Sequence, residues 1–181
     1  MTDGAPGWRI RSAGAADAAA LALVGSATFL DGFAGILPGA AIIAHCTRAS
    51  SSDAFAAMLG GGGRAWLGLA EPGEAPVGYA LLMPPDLPGA APGDIELRRI
   101  YTLSRYHGSG LGPALMATAI ADAQARAAAD ARLLLGVHTG NARARAFYTR
   151  HGFTQIATRR FDVGGTICDD VVLARPLNAN R

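Results

Sequence analysis

Residues 105–112 read RYHGSGLG and stand between two unlike stretches. Before them, IELRRIYTL (95–103) mixes β-branched and aromatic residues in the manner of a strand. After them, PALMATAIADAQ (113–124) is alanine-rich with apolar residues at helical spacing. Gly108, Gly110 and Gly112 therefore mark a strand-to-helix junction, with Pro113 in the first helical turn, where its missing N–H is harmless. Without Cβ atoms, several N–H groups can converge on one anion, and a helix N-terminus favours phosphate. A dinucleotide, a nucleoside triphosphate and coenzyme A all present such phosphates.

Outward from the junction, the chain alternates strand and helix patterns. A short strand over 8–13 (WRIRSA) precedes a helix from Gly14 to about Thr28. FLDGFAGILPG (29–39) mixes large apolar residues with Gly and Pro. Helical patches follow at 39–49 and 52–60, the latter with Ser52 or Asp53 as its expected cap. Gly60–Gly63 reads as a turn. Residues 64–71 and 75–83, around PGE, read as a β-hairpin, and 84–93 (PPDLPGAAPG) as a loop. The junction strand covers 94–103 and its helix runs from Gly110 to about Ala129. RLLLGVHT (132–139) reads as a buried strand and 141–152 as a short helix, and 153–163 with 166–177 form a closing hairpin around Gly164-Gly165. This order predicts an α/β fold with a mixed, mostly antiparallel central sheet flanked by helices, in one domain over 1–181.

Composition removes several functions. The 181-residue chain carries a net charge of +2 without blocks of like charge, which argues against a nucleic-acid partner. All 16 of its basic residues are arginine. Without lysine there is neither Schiff-base chemistry nor a P-loop lysine, so the triphosphate reading fails. No apolar run reaches the roughly eighteen residues of a membrane span, and the N-terminus lacks the pattern of a leader segment. Cys46 and Cys168 lie far apart, outside any metal-ligand or disulfide spacing, and a reducing cytoplasm suits them. The four histidines, His45, His107, His138 and His151, show no metal-ligand spacing either. A nicotinamide dinucleotide would need an acidic residue ending the strand that follows, and RLLLGVHTGN has none.

At this point the residues resemble a family. RYHGSG matches the Arg/Gln-x-x-Gly-x-Gly/Ala loop of the GNAT (Gcn5-related) N-acetyltransferases. NARARAFYTRHGF (141–153) matches the family's next helix, with its Asn, Phe-Tyr and Gly-Phe. Ser104 stands where many members have proline. The resemblance covers roughly 8–177 and is densest over 94–153.

It implies acetyl-CoA as the acyl donor, with no metal. The backbone of Arg105, Tyr106, His107, Gly108, Ser109 and Gly110 would cradle the pyrophosphate. Ile100, Tyr101 and Thr102 would run beside the pantetheine, one N–H polarising the thioester carbonyl. Asn141 and Phe147 would complete the cofactor site, and Tyr148 would protonate the leaving thiolate. Of three glutamates, only Glu96 lies in a strand, and that strand leads into the loop. Strict alternation puts it on the face of Arg98, Ile100 and Thr102, from which it would serve as base; a β-bulge would reverse that parity. Phe29, Phe33 and Leu37 would line the acceptor cleft, and Asp169-Asp170 would flank it. The expected reaction is direct acetylation of a primary amine, of a small molecule rather than a protein, by a monomer or homodimer. Protein N-terminal or lysine acetylation, and a non-catalytic acyl-CoA-binding module, are the alternatives.

Overall fold

The computed structural model describes residues 7–178. The expectations of one domain over 1–181 and of no leader segment fall partly on residues outside that range. The strands are β1 (Trp8–Ala13), β2 (Arg64–Ala70), β3 (Pro76–Met83), β4 (Ile95–Thr102), β5 (Arg132–His138), β6 (Thr154–Val163) and β7 (Thr166–Pro176). The helices are α1 (Ala18–Phe33), α2 (Gly39–Ala49), α3 (Ser52–Gly60), α4 (Leu111–Arg126) and α5 (Ala142–Arg150). One seven-stranded sheet runs β1-β2-β3-β4-β5-β7-β6, antiparallel throughout except where β4 meets β5. The mixed, mostly antiparallel α/β architecture is the one the sequence predicts.

Local chemistry sets the boundaries. The cap of α3 is Ser51, one residue before the expected pair; its hydroxyl accepts from Ala54 N at 3.1 Å. Helix α1 runs five residues past Thr28, to Phe33, because Phe29 and Phe33 stack on one side of the helix at 4.5 Å. With the 3-10 turn before it, Ala15–Phe33 makes 19 residues long and apolar enough to cross a membrane by length and composition, although no run of consecutive apolar residues signals it. In this fold the segment packs Leu21 and Val24 on the sheet beside Phe55 and Tyr79.

Strands β2 and β3 are buried on both faces. Ala65, Leu67, Leu69, Tyr79 and Leu81 meet α1 and α3, whereas Trp66, Ala80 and Leu82 meet α4. Gly68 and Gly78 pair directly across the two strands. A Cβ on Gly68 would lie 2.8 Å from Leu111 Cδ1, and one on Gly78 would lie 3.2 Å from Leu111 Cδ2. The two glycines thus hollow the sheet where Leu111, the fully buried first residue of α4, is seated. That seat fixes where the 105–110 loop ends.

The Gly78→Ala variant is expected to lose about 1–3 kcal/mol in chemical denaturation, because the new methyl would also come within 3.0 Å of the Tyr101 carbonyl oxygen, a backbone atom that cannot rotate away. Unchanged stability would show that Leu111 does not depend on the hollow.

Candidate active site

The parallel ladder between β4 and β5 holds for only two residue pairs, Ile95 with Leu133 and Glu96 with Leu134. Beyond Glu96 the strands part, and a cavity of about 980 Å³ opens between them. Its lining joins Ile100–Thr102 of β4, Gly136–His138 of β5, the glycines at 108, 110 and 112, the start of α5, the inner end of α1 and the β6–β7 hairpin.

The loop leading into α4 has the form an anion needs. Gly108 and Gly110 adopt φ of +81° and +89°, a left-handed conformation that favours glycine. Their N–H groups make no hydrogen bond among the described residues. Trp8 Nε1 donates to Ser109 O at 3.0 Å, bracing the loop against β1. Ser104 reaches the other side of the cleft: its N–H and hydroxyl meet the Asp31 carboxylate of α1 at 2.7 and 3.1 Å. A proline at 104 would lack that N–H.

Tyr106, His107, Gly108 and Gly110 line the cavity, whereas Arg105 and Ser109 do not. Arg105 is exposed, and the Ser109 hydroxyl is turned to Tyr106 O. His107 is exposed as expected, yet its Nδ1 contacts the Arg143 guanidinium of α5 across the gap. Burial, and then Arg143, hold the imidazole pKa below its usual value. Asn141 lines the cavity and caps α5, its Oδ1 accepting from Ala144 N at 3.0 Å.

At the point of parting, Tyr101 and Tyr148 face the cavity. Burial raises the pKa of both phenols, and each tyrosine is thereby kept in its protonated form. Tyr148 packs edge-on against Phe147 and Phe153, at 5.6 and 5.9 Å. Asp170 of β7 lies opposite His138 of β5 and is buried. Arg159 Nε and Nη2 both meet its Oδ2 at 3.2 Å, and Oδ1 has no partner among the described residues. Burial raises the Asp170 pKa against the pull of Arg159. Gly136 makes this pair possible, since a Cβ there would lie 2.6 Å from Arg159 Nη2.

Glu96 lies elsewhere. Opposite Leu81 and Leu82 the register slips, leaving Arg98 as an extra residue in β4. Leu97 and Ile100 therefore both face the α4 core, and Tyr101 faces the α1 side. The alternation that grouped Glu96 with Ile100 and Thr102 is reversed, which puts Glu96 on the face of Arg99 and Tyr101 instead. Only 2% exposed, Glu96 pairs with Arg98 Nη2 at 3.0 Å, accepts from Asp86 N at 2.8 Å and does not line the cavity.

On the acceptor side, Phe29 and Phe33 line the cleft. Leu37 sits behind them, in an apolar cluster with Ile42, Val163, Cys168 and Cys46. His45 of α2 stacks on Phe29 with centroids 4.1 Å apart. The sequence does not single out Arg99 or Arg159; it shows no metal-ligand spacing at His45 and makes Asp170 a flanking charge. Their convergence depends on non-local pairing and on the Arg98 bulge, neither of which has a local signal. No three His, Cys, Asp or Glu side chains among the described residues converge as a metal site.

The comparisons agree with this geometry. A profile of the acetyltransferase (GNAT) family matches residues 42–153. An uncharacterized N-acetyltransferase of Mycobacterium tuberculosis is 39% identical over 127 residues, which span 70% of this chain and 76% of that protein. PaiA N-acetyltransferase from Thermoplasma acidophilum, solved in complex with coenzyme A, superposes with a TM-score of 0.74 at 18% identity, over 94% of this chain and 99% of that one. The ribosomal-protein-S18-alanine N-acetyltransferase from Escherichia coli gives a TM-score of 0.65 at 20% identity, over 97% of each chain. The chain thus belongs to the GNAT family of acetyltransferases, enzymes that take their acetyl group from acetyl-CoA.

Proposed function

We propose that this protein acetylates the primary amine of a small molecule. The observation that carries the reading is the meeting, at one parting of strands, of three things: unpartnered loop N–H groups, an unpaired β4 edge, and the cavity-lining side chains of Tyr148 and Asp170.

The residues present fit coenzyme A. The N–H groups of Gly108 and Gly110, at the start of α4, suit its pyrophosphate. Arg105, Tyr106, His107 and Ser109 shape that loop, and Arg143 beside His107 adds positive charge. The edge of Ile100, Tyr101 and Thr102 has no ladder partner towards β5 and can hydrogen-bond the pantetheine amides as a neighbouring strand would. Asn141 and Phe147 close the other wall. When bound, acetyl-CoA supplies an acyl carbon activated as a thioester.

The chain's own groups then handle charge and protons. A β4 N–H is placed to stabilise the carbonyl oxygen as negative charge develops there. As the amine nitrogen bonds to the acyl carbon and the carbon–sulfur bond breaks, Tyr148 gives its phenolic proton to the departing sulfur. Asp170, through its free Oδ1 or one water, takes the proton that the nitrogen sheds. The carboxylate of Glu96, the base expected from sequence, is occupied by Arg98 and the Asp86 N–H. We therefore give the base role to Asp170. Phe29 and Phe33 wall the acceptor space, with Leu37 supporting them. A cleft closed by α1, α2 and the β6–β7 hairpin suits a small acceptor better than a folded protein surface.

Two measurements test the roles. With acetyl-CoA and a panel of small amines, Tyr148→Phe is expected to lower kcat by about 10²-fold with little change in KM. An unchanged kcat would remove Tyr148 from the chemistry. Because the base must be ionised and burial raises its pKa, the acidic limb of kcat/KM is expected above the ordinary carboxylate range. Asp170→Asn is expected to abolish that limb and cost about 10²–10⁴-fold in kcat. A limb that persists in the variant belongs to another group.

A further inference from the structure

The acceptor half of the cleft carries cationic charge that the transfer chemistry does not use. Four arginines line it: Arg48, Arg98, Arg99 and Arg159. Arg98 is neutralised by Glu96 and Arg159 by Asp170. Arg99 and Arg48 form no ion pair among the described residues. Arg99 is held firmly all the same. Its Nη2 donates to Ala49 O at 2.8 Å and its Nη1 to Ser50 Oγ at 3.3 Å, and the guanidinium lies 5.2 Å from the Phe55 ring centroid. These neutral partners, at the C-terminal end of α2, orient the guanidinium without cancelling its charge.

His45 lies beside this pair of arginines. Its ring lines the cleft and stacks on Phe29, the residue itself is 7% exposed, and its buried Nδ1 has no hydrogen-bond partner. Burial, then Arg99, then Arg48 push its pKa down to about 4, so the ring is neutral near pH 7 and one of its nitrogens keeps a proton. The Nδ1 nitrogen has almost no exposed surface, so His45 meets the cleft through its ring and not as a partner for a ligand's polar group. The two unpaired arginines beside it are the groups that can receive a ligand's charge, and they specify its sign.

We infer that the acceptor amine also carries an anionic oxygen group, a carboxylate or phosphonate, which Arg99 and Arg48 receive beside His45 and the Phe29–Phe33 wall. The inference rests on the acetyltransferase reading above and narrows its acceptor to aminocarboxylates and their phosphonate analogues. Arg99 and Tyr101 share a face of β4 two residues apart, about 7 Å along the strand. The anion therefore sits several bonds from the amine that reaches the parting of β4 and β5. The anionic end fixes the acceptor in register, and the neutral middle lies against Phe29.

The test uses the whole protein, acetyl-CoA and matched acceptors in a thiol-release assay. The pairs are 4-aminobutyrate with n-butylamine, 3-aminopropylphosphonate with n-propylamine, and 4-(aminomethyl)benzoate with benzylamine. At least one anionic member is expected to exceed its neutral partner about tenfold or more in kcat/KM, chiefly through KM. Whether the carboxylate or the phosphonate leads identifies the anion. Arg99→Gln is expected to bring the kcat/KM ratio within each pair to within about threefold of one; the exposed Arg48→Gln, a safer change for folding, should reduce that ratio partly. Equal use of both members of every pair would overturn the inference and leave the acetyltransferase reading standing. If no amine is turned over, calorimetric titration with N-acetyl-4-aminobutyrate against N-butylacetamide decides the anion site alone. Selective, Arg99-dependent binding of the anion supports the site, and its absence overturns it.

Discussion

A sheet satisfies its backbone polar groups by continuing, and here it stops doing so in its middle. After two residue pairs β4 and β5 separate, although each stays bonded on its other side, β4 to β3 and β5 to β7. The N–H and C=O groups on the facing edges must then be met by water or by a ligand that behaves like a strand. Every other part of the site is arranged around that interruption. The 105–110 loop sits at its mouth, the two tyrosines and Asp170 line its depth, and the helices α1 and α2 close one side.

The interruption is held open by packing on either flank. The Gly68–Gly78 hollow fixes Leu111 and hence the start of α4. On the β5 side, Gly136 makes room for the Arg159 guanidinium, which carries Asp170 into the gap. The β6–β7 turn is tied to the far wall by a backbone contact, since a Cβ on Gly164 would lie 2.3 Å from Ala41 O of α2. Small residues thus occur where main chains must approach, and the larger functional side chains fill the spaces between them. The Asp31–Ser104 contact joins the acceptor-side helix to the cofactor-side loop, so ordering either segment helps to order the other.

Much of this was legible in the sequence because its signals are local. The glycines of 108–112, the alternation of the hairpin strands and the Asn-led helix at 141 each state a backbone preference that needs no distant partner. The strands and helices consequently lie where the pattern puts them, give or take a turn at α1, about a turn at the end of α4, which stops at Arg126 and not Ala129, and one residue at the cap of α3. The side chains proposed for catalysis divide differently. Tyr148 follows from a helical motif, whereas Asp170 depends on how β7 inserts between β5 and β6, which no short window records. Glu96 shows the limit of alternation: the sequence contains no mark of the slip at Arg98, and a single inserted residue is enough to exchange the two faces of the strand.

That slip also sets how the protein can change. Strand β4 is effectively two strands in different phase, with Arg98 as the joint between them. The portion through Leu97 answers to the core beneath α4 and to Arg98 itself, and the portion from Arg99 answers to the ligand cleft. Substitutions can accumulate in each portion almost independently. Loss of the one codon for Arg98 would leave the faces as they are, with Leu97 and Ile100 towards α4 and Arg99 and Tyr101 away from it, because the remaining residues alternate without it. The cost would fall on Glu96, stripped of its counter-ion, so the extra residue in this strand answers to a buried carboxylate rather than to the cleft.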